Sequence, residues 1–273
     1  MQTTGTVVLN ARGVNINGYD CFVNLSKDTS KYNMSFDASH WVCQGTTVTP
    51  AGTNPYYGVS NSYTKFSSSS LVISDYNEAE IRFNTNFNPT TYTISTWQRD
   101  DPIKDYNSCN QTQKEHYRGK SSTSFGSYFN FFDNQARNGY NTNAGLYLGD
   151  SNWSWSATTK RWSDTNWHHF AAVGINGRHL AFIDGTKVFD KTATSYNTGN
   201  MLVLKLTIST LYCDDLVVIA DQALWTSNFT PPTTYLLDSE YAMDLSDVKR
   251  RNIIVSNVDK KLIIPDDETL KQY

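Results

Sequence analysis

The sequence predicts an all-β protein built as an antiparallel jelly-roll β-sandwich, and three observations support this. Many short runs of apolar and β-branched residues alternate with Gly, Asn, Ser and Pro turns. No stretch before residue 237 has a helical period of useful length. Aromatic residues reach 14% and charged residues only 18%, a composition that suits strands and hydrogen-bonding loops. The 273 residues are enough to bury a substantial core.

The clearest run is "DTNWHHFAAVGINGRHLAFIDGTKVFD", residues 164–190, which predicts a three-stranded meander. Asn176-Gly177 and Asp184-Gly185 each supply the two positive-φ residues of a type I′ hairpin.

Adjacent histidines occur in the first strand of this meander, His168 and His169. Alternate residues of a strand share a face, so we expect the two side chains on opposite sides of the sheet. They therefore cannot bind one metal or one substrate together, and a packed structural role is favoured for each. One face is predicted to carry Trp167, His169, Ala171, Val173 and Ile175, and the other His168, Phe170 and Ala172.

Further strands are predicted along the rest of the chain. They cover residues 20–25, 70–74, 79–83, 91–99, 127–132, 144–149, 201–209 and 214–220. The domain itself is predicted to span residues 18–236.

The two ends are predicted to be arms. Residues 1–17 contain a candidate strand, "TVVLN", with no obvious hairpin mate within the domain. Residues 237–273 have 14 charged side chains in 37 positions, against 35 in the preceding 236, which indicates a separate segment. Its "NIIVS" and "KLIIP" either form a small hairpin or stay extended until they meet a partner. Frayed termini are the alternative.

Charge and cysteine usage exclude several classes of protein. The formal net charge of -3 gives no footprint for nucleic acid or an anionic membrane. No apolar run approaches the roughly 18 residues of a spanning helix, and no signal peptide is readable, so a soluble, non-exported product is expected. The four cysteines lack a C-x-x-C pair, which predicts buried free thiols rather than zinc: Cys21, Cys43, Cys109 and Cys213.

Three blocks resemble a laminin-G-like, concanavalin-A-like jelly-roll domain. "TKFSSSSLVISDYNEAEIRF" with "TYTISTWQR" resembles its first core block, and "NWHHFAAVGINGRHLAFIDGTKV" its W-H-H strand and D-G hairpin. "YCDDLVVIADQALWTSNFTPPTTYL" resembles the closing block. Its "ALWTSNFTPP" is similar to the variant in bacteriophage virion and tail proteins. The resemblance covers about residues 18–236 and is more specific for fold than for function.

Enzymatic activity is not expected. A retaining glycosidase needs two carboxylates about 5 to 5.5 Å apart, and the E-x-D-x-x-E pattern of related glucanases is missing. Glu78 and Glu80 share a face but lie about 7 Å apart along the strand. Asp214 and Asp215 point to opposite faces, and the resemblance implies structural roles for them. The G-x-S-x-G, H-E-x-x-H, P-loop and dinucleotide-binding motifs are also missing.

No metal or other cofactor is expected, although calcium was the strongest possibility to weigh. Oxygen-bearing residues cluster in two loops, but EF-hand spacing is missing and Asn-rich turns are common without metal. They are Asp133, Asn134, Asn138, Asn141 and Asp150.

Two loop-like stretches are the candidate recognition surface, residues 100–124 and 150–162. In the second, Trp153 and Trp155 fall on one face if the segment is extended, with Trp162 nearby. They predict a platform for a sugar ring, with Asn152 bonding the ring's edge. Packing of the tryptophans in the sandwich core is the competing interpretation, and the more common one for strand tryptophans.

These observations together predict a non-enzymatic bacteriophage virion protein of the tail, fibre or head appendage, assembled in the host cytoplasm. We expect several copies that contact other virion proteins through residues 1–17 and 237–273, with host-surface glycan or protein as a further partner. The alternatives are a cellular carbohydrate-binding or adhesion module and, third, a glycoside hydrolase.

Overall fold

The computed structural model describes residues 1–16, 19–27, 34–36, 57–73, 78–83, 90–100, 130–132, 145–147, 166–192, 201–205, 211–242, 244 and 253–255. These residues form strands joined by turns, with one short 3-10 helix, Ser239–Tyr241. The strands are β1 (Thr6–Ile16), β2 (Tyr19–Asn24), β3 (Met34–Phe36), β4 (Tyr57–Ser60), β5 (Ser70–Ile73), β6 (Glu78–Phe83), β7 (Tyr92–Asp100), β8 (Asn130–Phe132), β9 (Gly145–Tyr147), β10 (His168–Ile175), β11 (Arg178–Ile183), β12 (Thr186–Thr192), β13 (Met201–Lys205), β14 (Leu211–Ala220) and β15 (Ile253–Val255).

The largest sheet has the order β12-β11-β10-β7-β14-β1-β2-β15, with β5 also pairing β14 and β4 pairing β5. A second sheet has the order β13-β6-β3, and β8 pairs β9. Every pairing is antiparallel. The predicted fold class, an all-β antiparallel sandwich, is confirmed.

The predicted meander is confirmed as β10, β11 and β12. Its two turns have positive φ at each expected position: 51° at Asn176, 73° at Gly177, 47° at Asp184 and 71° at Gly185. At the second turn, a Cβ on Gly185 would lie 1.8 Å from the carbonyl oxygen of Phe229. Glycine is therefore required there for close approach as well as for φ.

One face of the large sheet packs against residues 221–242, which we call the covering segment. Ala171 and Val173 of β10 belong to its apolar cluster. The buried members from other elements are Val7, Leu180, Phe182, Val217, Ile219, Trp225, Leu236 and Leu237. Phe170 packs instead with Ile183 and Val188 in a different cluster. The predicted alternation of faces along this strand is thus confirmed.

The N-terminal residues differ from the expectation of an arm. β1 lies inside the large sheet, where it pairs β14 on one side and β2 on the other. Val8, Leu9 and Ala11 are fully buried. The expectation that residues 1–17 lack a hairpin mate is therefore wrong. The strand continues through Arg12 and Gly13, and Gly13 lies so close to Ser69 that a Cβ would stand 1.7 Å from its carbonyl oxygen.

Residues after 236 also contact the sheet. Leu237 is 2% exposed. Tyr241 donates its hydroxyl hydrogen to the carbonyl of Thr3 at 3.0 Å. β15, which lies within the predicted "NIIVS" strand, pairs β2. The described part of this segment thus packs on the domain, while its use in attachment stays a prediction.

The cysteine prediction is confirmed at two positions. Cys21 and Cys213 are buried free thiols, and burial raises the pKa of Cys213 to about 12. Cys43 and Cys109 lie outside the described residues. Among those that are described, no helix has the length and apolar character needed to cross a bilayer.

Candidate functional site

The predicted sugar platform lies outside the described residues, and so does most of the predicted insertion at 100–124. The platform residues are Asn152, Trp153, Trp155 and Trp162. The same holds for the weighed calcium ligands, Asp133, Asn134, Asn138, Asn141 and Asp150. The binding roles of all of these stay predictions.

His168 and His169 have different surroundings. His169 is fully buried, and its Nε2 lies 2.9 Å from the Ser95 hydroxyl. Burial lowers the pKa of His169 to about 3, so the ring is neutral at ordinary pH. Its Nδ1 finds no hydrogen-bond partner among the described residues. The rings of Trp97, Trp225 and Phe229 pack edge-to-face against it, which makes His169 a packed core residue.

The Asp184 carboxylate joins the two histidines at the second meander turn. Its Oδ2 lies 2.8 Å from the His168 Nδ1, and its Oδ1 accepts the backbone N–H of His169 at 3.0 Å. Asp184 is therefore a turn residue whose side chain fixes the start of β10.

Asp214 organises the loop that precedes β5. Its Oδ2 accepts the backbone N–H groups of Lys65, Phe66 and Ser67 at 3.1, 3.0 and 3.4 Å. The Ser67 hydroxyl also donates to both carboxylate oxygens. Asp214 is fully buried. A carboxylate held by this many donors acts as a structural anchor for the loop.

Asp215 anchors the covering segment. Its Oδ2 accepts the backbone N–H of Leu236 at 2.9 Å, while its Oδ1 has no partner among the described residues. The residue has a φ of 48° and sits in a register shift between β14 and β7. Burial raises the pKa of Asp215 to about 7.

Glu78 and Glu80 lie in β6, opposite Lys205 and Val203 of β13. They are thus in a different sheet from Asp214. The structure describes only the backbone of these strands, so the chemistry of the two glutamates stays a sequence-based expectation.

A row of rings lies where the loop of residues 61–69 meets the covering segment. Phe66 packs edge-to-face against Trp97 on one side and Tyr235 on the other, with centroid distances of 5.8 and 5.7 Å. The Lys65 Nζ lies 3.8 Å from the Trp97 centroid, and the Arg12 Cζ lies 4.4 Å from the Tyr235 centroid. We call these five residues the cation–aromatic row.

No sequence pattern predicted this row. "TKFSSSS" was part of the first resemblance block and leads into the strand predicted at residues 70–74, while Arg12 lay in the predicted N-terminal arm. Four of the five residues are partly exposed, and Trp97 is 7% exposed. The sequence signal for the row is a single cation next to an aromatic residue, Lys65 and Phe66. Two residues are too few to distinguish such a row from chance.

No group of three or more His, Cys, Asp or Glu side chains suited to a metal ion occurs in the part of the chain that the structure describes.

This geometry defines the domain as an antiparallel β-sandwich whose main sheet is covered by residues 221–242 and by the loop of residues 61–69. No family model and no curated protein matches the chain. Solved structures are similar to it at low identity. The binding domain of Paraclostridial Mosquitocidal Protein 1 has 15% identity and a TM-score of 0.47, covering 80% of this chain and 49% of that one.

Domain 4 of AbnA, an extracellular arabinanase of Geobacillus stearothermophilus solved with arabinotriose, has 13% identity and a TM-score of 0.42 over 77% of this chain and 93% of that one. The Botulinum Neurotoxin serotype G binding domain has 8% identity and a TM-score of 0.39, covering 82% of this chain and 48% of that one. The chain spans about half the length of the first and third of these. The description of the fold rests on the chain's own strand order.

Proposed function

We propose that the chain is a non-catalytic glycan-binding domain of a bacteriophage virion protein, present in several copies and attached to other virion proteins through residues 237–273, because residues 1–16 are built into the main sheet. The observation that supports it is the arrangement of the three blocks that resemble laminin-G-like domains. The first block forms β5, β6 and β7, and the second forms β10, β11 and β12. The third forms β14 and most of the covering segment. β10, β7 and β14 lie side by side in one sheet, so one strand from each block contributes to the same continuous sheet.

The proposal that the domain is non-catalytic is supported by the hydrogen bonds of two buried carboxylates. Asp214 and Asp215, which the sequence analysis weighed for a hydrolase, are 0% and 1% exposed. Both accept backbone N–H groups of segments that cover the sheet. A catalytic pair has to reach a scissile bond, whereas these two carboxylates hold the domain's own loops.

Glycan binding is tested with the full chain on arrayed host-surface glycans. We expect binding without release of reducing ends. The double variant Trp153→Ala with Trp155→Ala should fold, by its melting curve, and bind host glycan more weakly. The matched control is Trp225→Phe, because the Trp225 ring packs against His169 and Phe229. This variant should change the stability of the domain and leave glycan binding unchanged. Binding by the folded double variant equal to the parent would refute the platform.

The virion part is tested by immunogold labelling of purified particles with an antibody against this chain. We expect label at a fixed place on the tail, fibre or head. A cellular adhesion module is the second candidate, supported by the same fold, and it requires the label on a cell surface and none on particles. Release of reducing ends that is lost in Glu78→Ala or Glu80→Ala would favour the third candidate, a hydrolase.

A further inference from the structure

Two cations of the cation–aromatic row make no hydrogen bond with any described residue. The Lys65 ammonium and the Arg12 guanidinium contact ring faces only, those of Trp97, Phe66 and Tyr235. Both side chains are partly exposed. Lysine carries three donors and arginine five, so this part of the domain's surface presents a set of cationic donors without hydrogen-bond partners among the described residues.

The carboxylates whose charges act on the two cations are already bound to other groups. Asp215, which interacts with the Arg12 charge, accepts the Leu236 amide. Burial lowers the pKa of Lys65, and the charges of Asp184 and Asp214 partly oppose this shift. Asp214 is bound by the loop amides and Ser67. Asp184 is bound by His168 and the amide of His169. Neither forms an ion pair with Lys65 among the described residues.

The rings between the two cations supply an apolar surface. Phe66 and Tyr235 are partly exposed and stand nearly perpendicular, with an interplanar angle of 70°. Aromatic rings pack on the C–H face of a pyranose ring, and cations bind carboxylates with charge-assisted hydrogen bonds. A row that has rings at its centre and a cation at each end is suited to a sugar that carries a carboxylate.

We propose that Arg12, Lys65, Phe66 and Tyr235 form a binding site for a carboxylate-bearing sugar, of the hexuronic acid class. This site is separate from the predicted tryptophan platform, and its ligand class rests on the proposed glycan-binding function. A polyphosphate such as a nucleic acid fits less well, because two cations on a chain of net charge -3 do not form the basic track that a phosphate backbone requires.

The test is calorimetric titration of the full chain with oligogalacturonate and with its fully methyl-esterified form, which has the same rings and no charge. We expect the acid to bind at least about tenfold more tightly than the ester. Added salt should weaken the acid's binding and leave the ester's unchanged.

Variants locate the site. Lys65→Gln and Arg12→Gln should each weaken binding of the acid about tenfold, and Lys65→Arg should restore most of it. Lys187→Gln is the matched control, since that lysine pairs with Asp190 at 2.7 Å on another edge of the sheet, and it should bind as the parent does. Circular dichroism melting establishes that each variant is folded.

The outcomes separate the two proposals. Equal binding of acid and ester, equal binding by folded Lys65→Gln and parent, or displacement of the acid by an equal concentration of inorganic phosphate would each overturn the acidic-sugar site. If neutral host glycans still bind, the proposed function stands without this site. If no glycan of any kind binds, both proposals fail.

Discussion

The Ser67 hydroxyl donates to Asp214 Oδ2 at 2.9 Å, a bond between residues 147 positions apart in the sequence. Together with the amides of Lys65 and Phe66 on the same oxygen, it holds the loop of residues 61–69 over the end of β14. This contact fixes Lys65 and Phe66 beside Trp97. The geometry of the cation–aromatic row therefore depends on a carboxylate that lies beneath it.

Replacing that carboxylate is expected to destabilise the domain. Asp214→Ala leaves several loop N–H groups without their acceptor, and each such loss costs about 1 to 3 kcal/mol when the group is buried. These groups are partly buried, so we expect a total decrease of about 2 to 4 kcal/mol in the free energy of unfolding, measured in urea. The control is Asp190→Ala, whose exposed pairs with Arg178 and Lys187 should cost about 1 kcal/mol or less. Equal costs for the two variants would contradict the anchoring role.

Asp215 gives the domain a defined pH dependence. Burial raises its pKa to about 7 in the fold, against 3.8 for an aspartate in water, so the folded protein holds the proton more tightly than the unfolded chain does. Its contribution to stability is fully present below about pH 4 and is lost as the pH rises to about 7.

Asp215→Asn keeps an oxygen for the Leu236 amide and removes the titration. We expect the variant to be more stable than the parent at pH 8 by at most about 4 kcal/mol, and the difference to shrink towards pH 4. Urea unfolding at pH 4, 6 and 8 measures this. Parallel pH profiles for parent and variant would show that Asp215 is not the titrating group.

His169 changes the stability of the domain with pH in the direction opposite to Asp215. Burial lowers its pKa to about 3 in the fold, against 6.5 for a histidine in water, so the unfolded chain binds the proton more tightly. Stability from this residue is present above about pH 6.5 and is lost as the pH falls towards 3, by at most about 5 kcal/mol. His169→Gln should flatten the loss between pH 6.5 and pH 4 in urea unfolding. A variant that is as acid-sensitive as the parent would exclude this role.

The N-terminal strand is expected to be essential for folding. Deleting residues 1–16 removes β1 from between β14 and β2 and exposes the surface that Val8 and Leu9 bury. We expect loss of cooperative melting by circular dichroism. Deleting residues 256–273, beyond β15, is the matched truncation and should preserve it. A cooperative transition in the first truncation would restore the interpretation of residues 1–17 as an arm.

Much of the fold could be predicted because strand and turn signals are local. The Asn176-Gly177 and Asp184-Gly185 turns need positive φ, and those dipeptides supply it at little steric cost. The alternation of faces in β10 follows from a period of two, which needs no partner strand to be read. The confirmed core positions Ala171 and Val173 follow from that period alone.

The place of β1 could not be predicted for the same reason. Strand pairing joins residues far apart in sequence, such as Thr6 with Ala220. The residues of "TVVLN" alone therefore do not indicate which strands they pair with. The sequence suggested a structural role for Asp214, but it did not indicate which amides that carboxylate binds. Arg12 and Tyr235 likewise come together only because β1 lies beside β14 and the covering segment folds back over both.

The sequence by itself determined the antiparallel all-β class, the three-stranded meander and the separation of the two histidines, because each follows from the local chemistry of turns and the pleat of a strand. The tertiary structure alone decided that β1 is an interior strand, that Asp215 is held at a raised pKa, and that two cations share a row of rings. These features depend on burial and on contacts between distant segments. They exist only when the strands have paired and the covering segment has packed on the sheet.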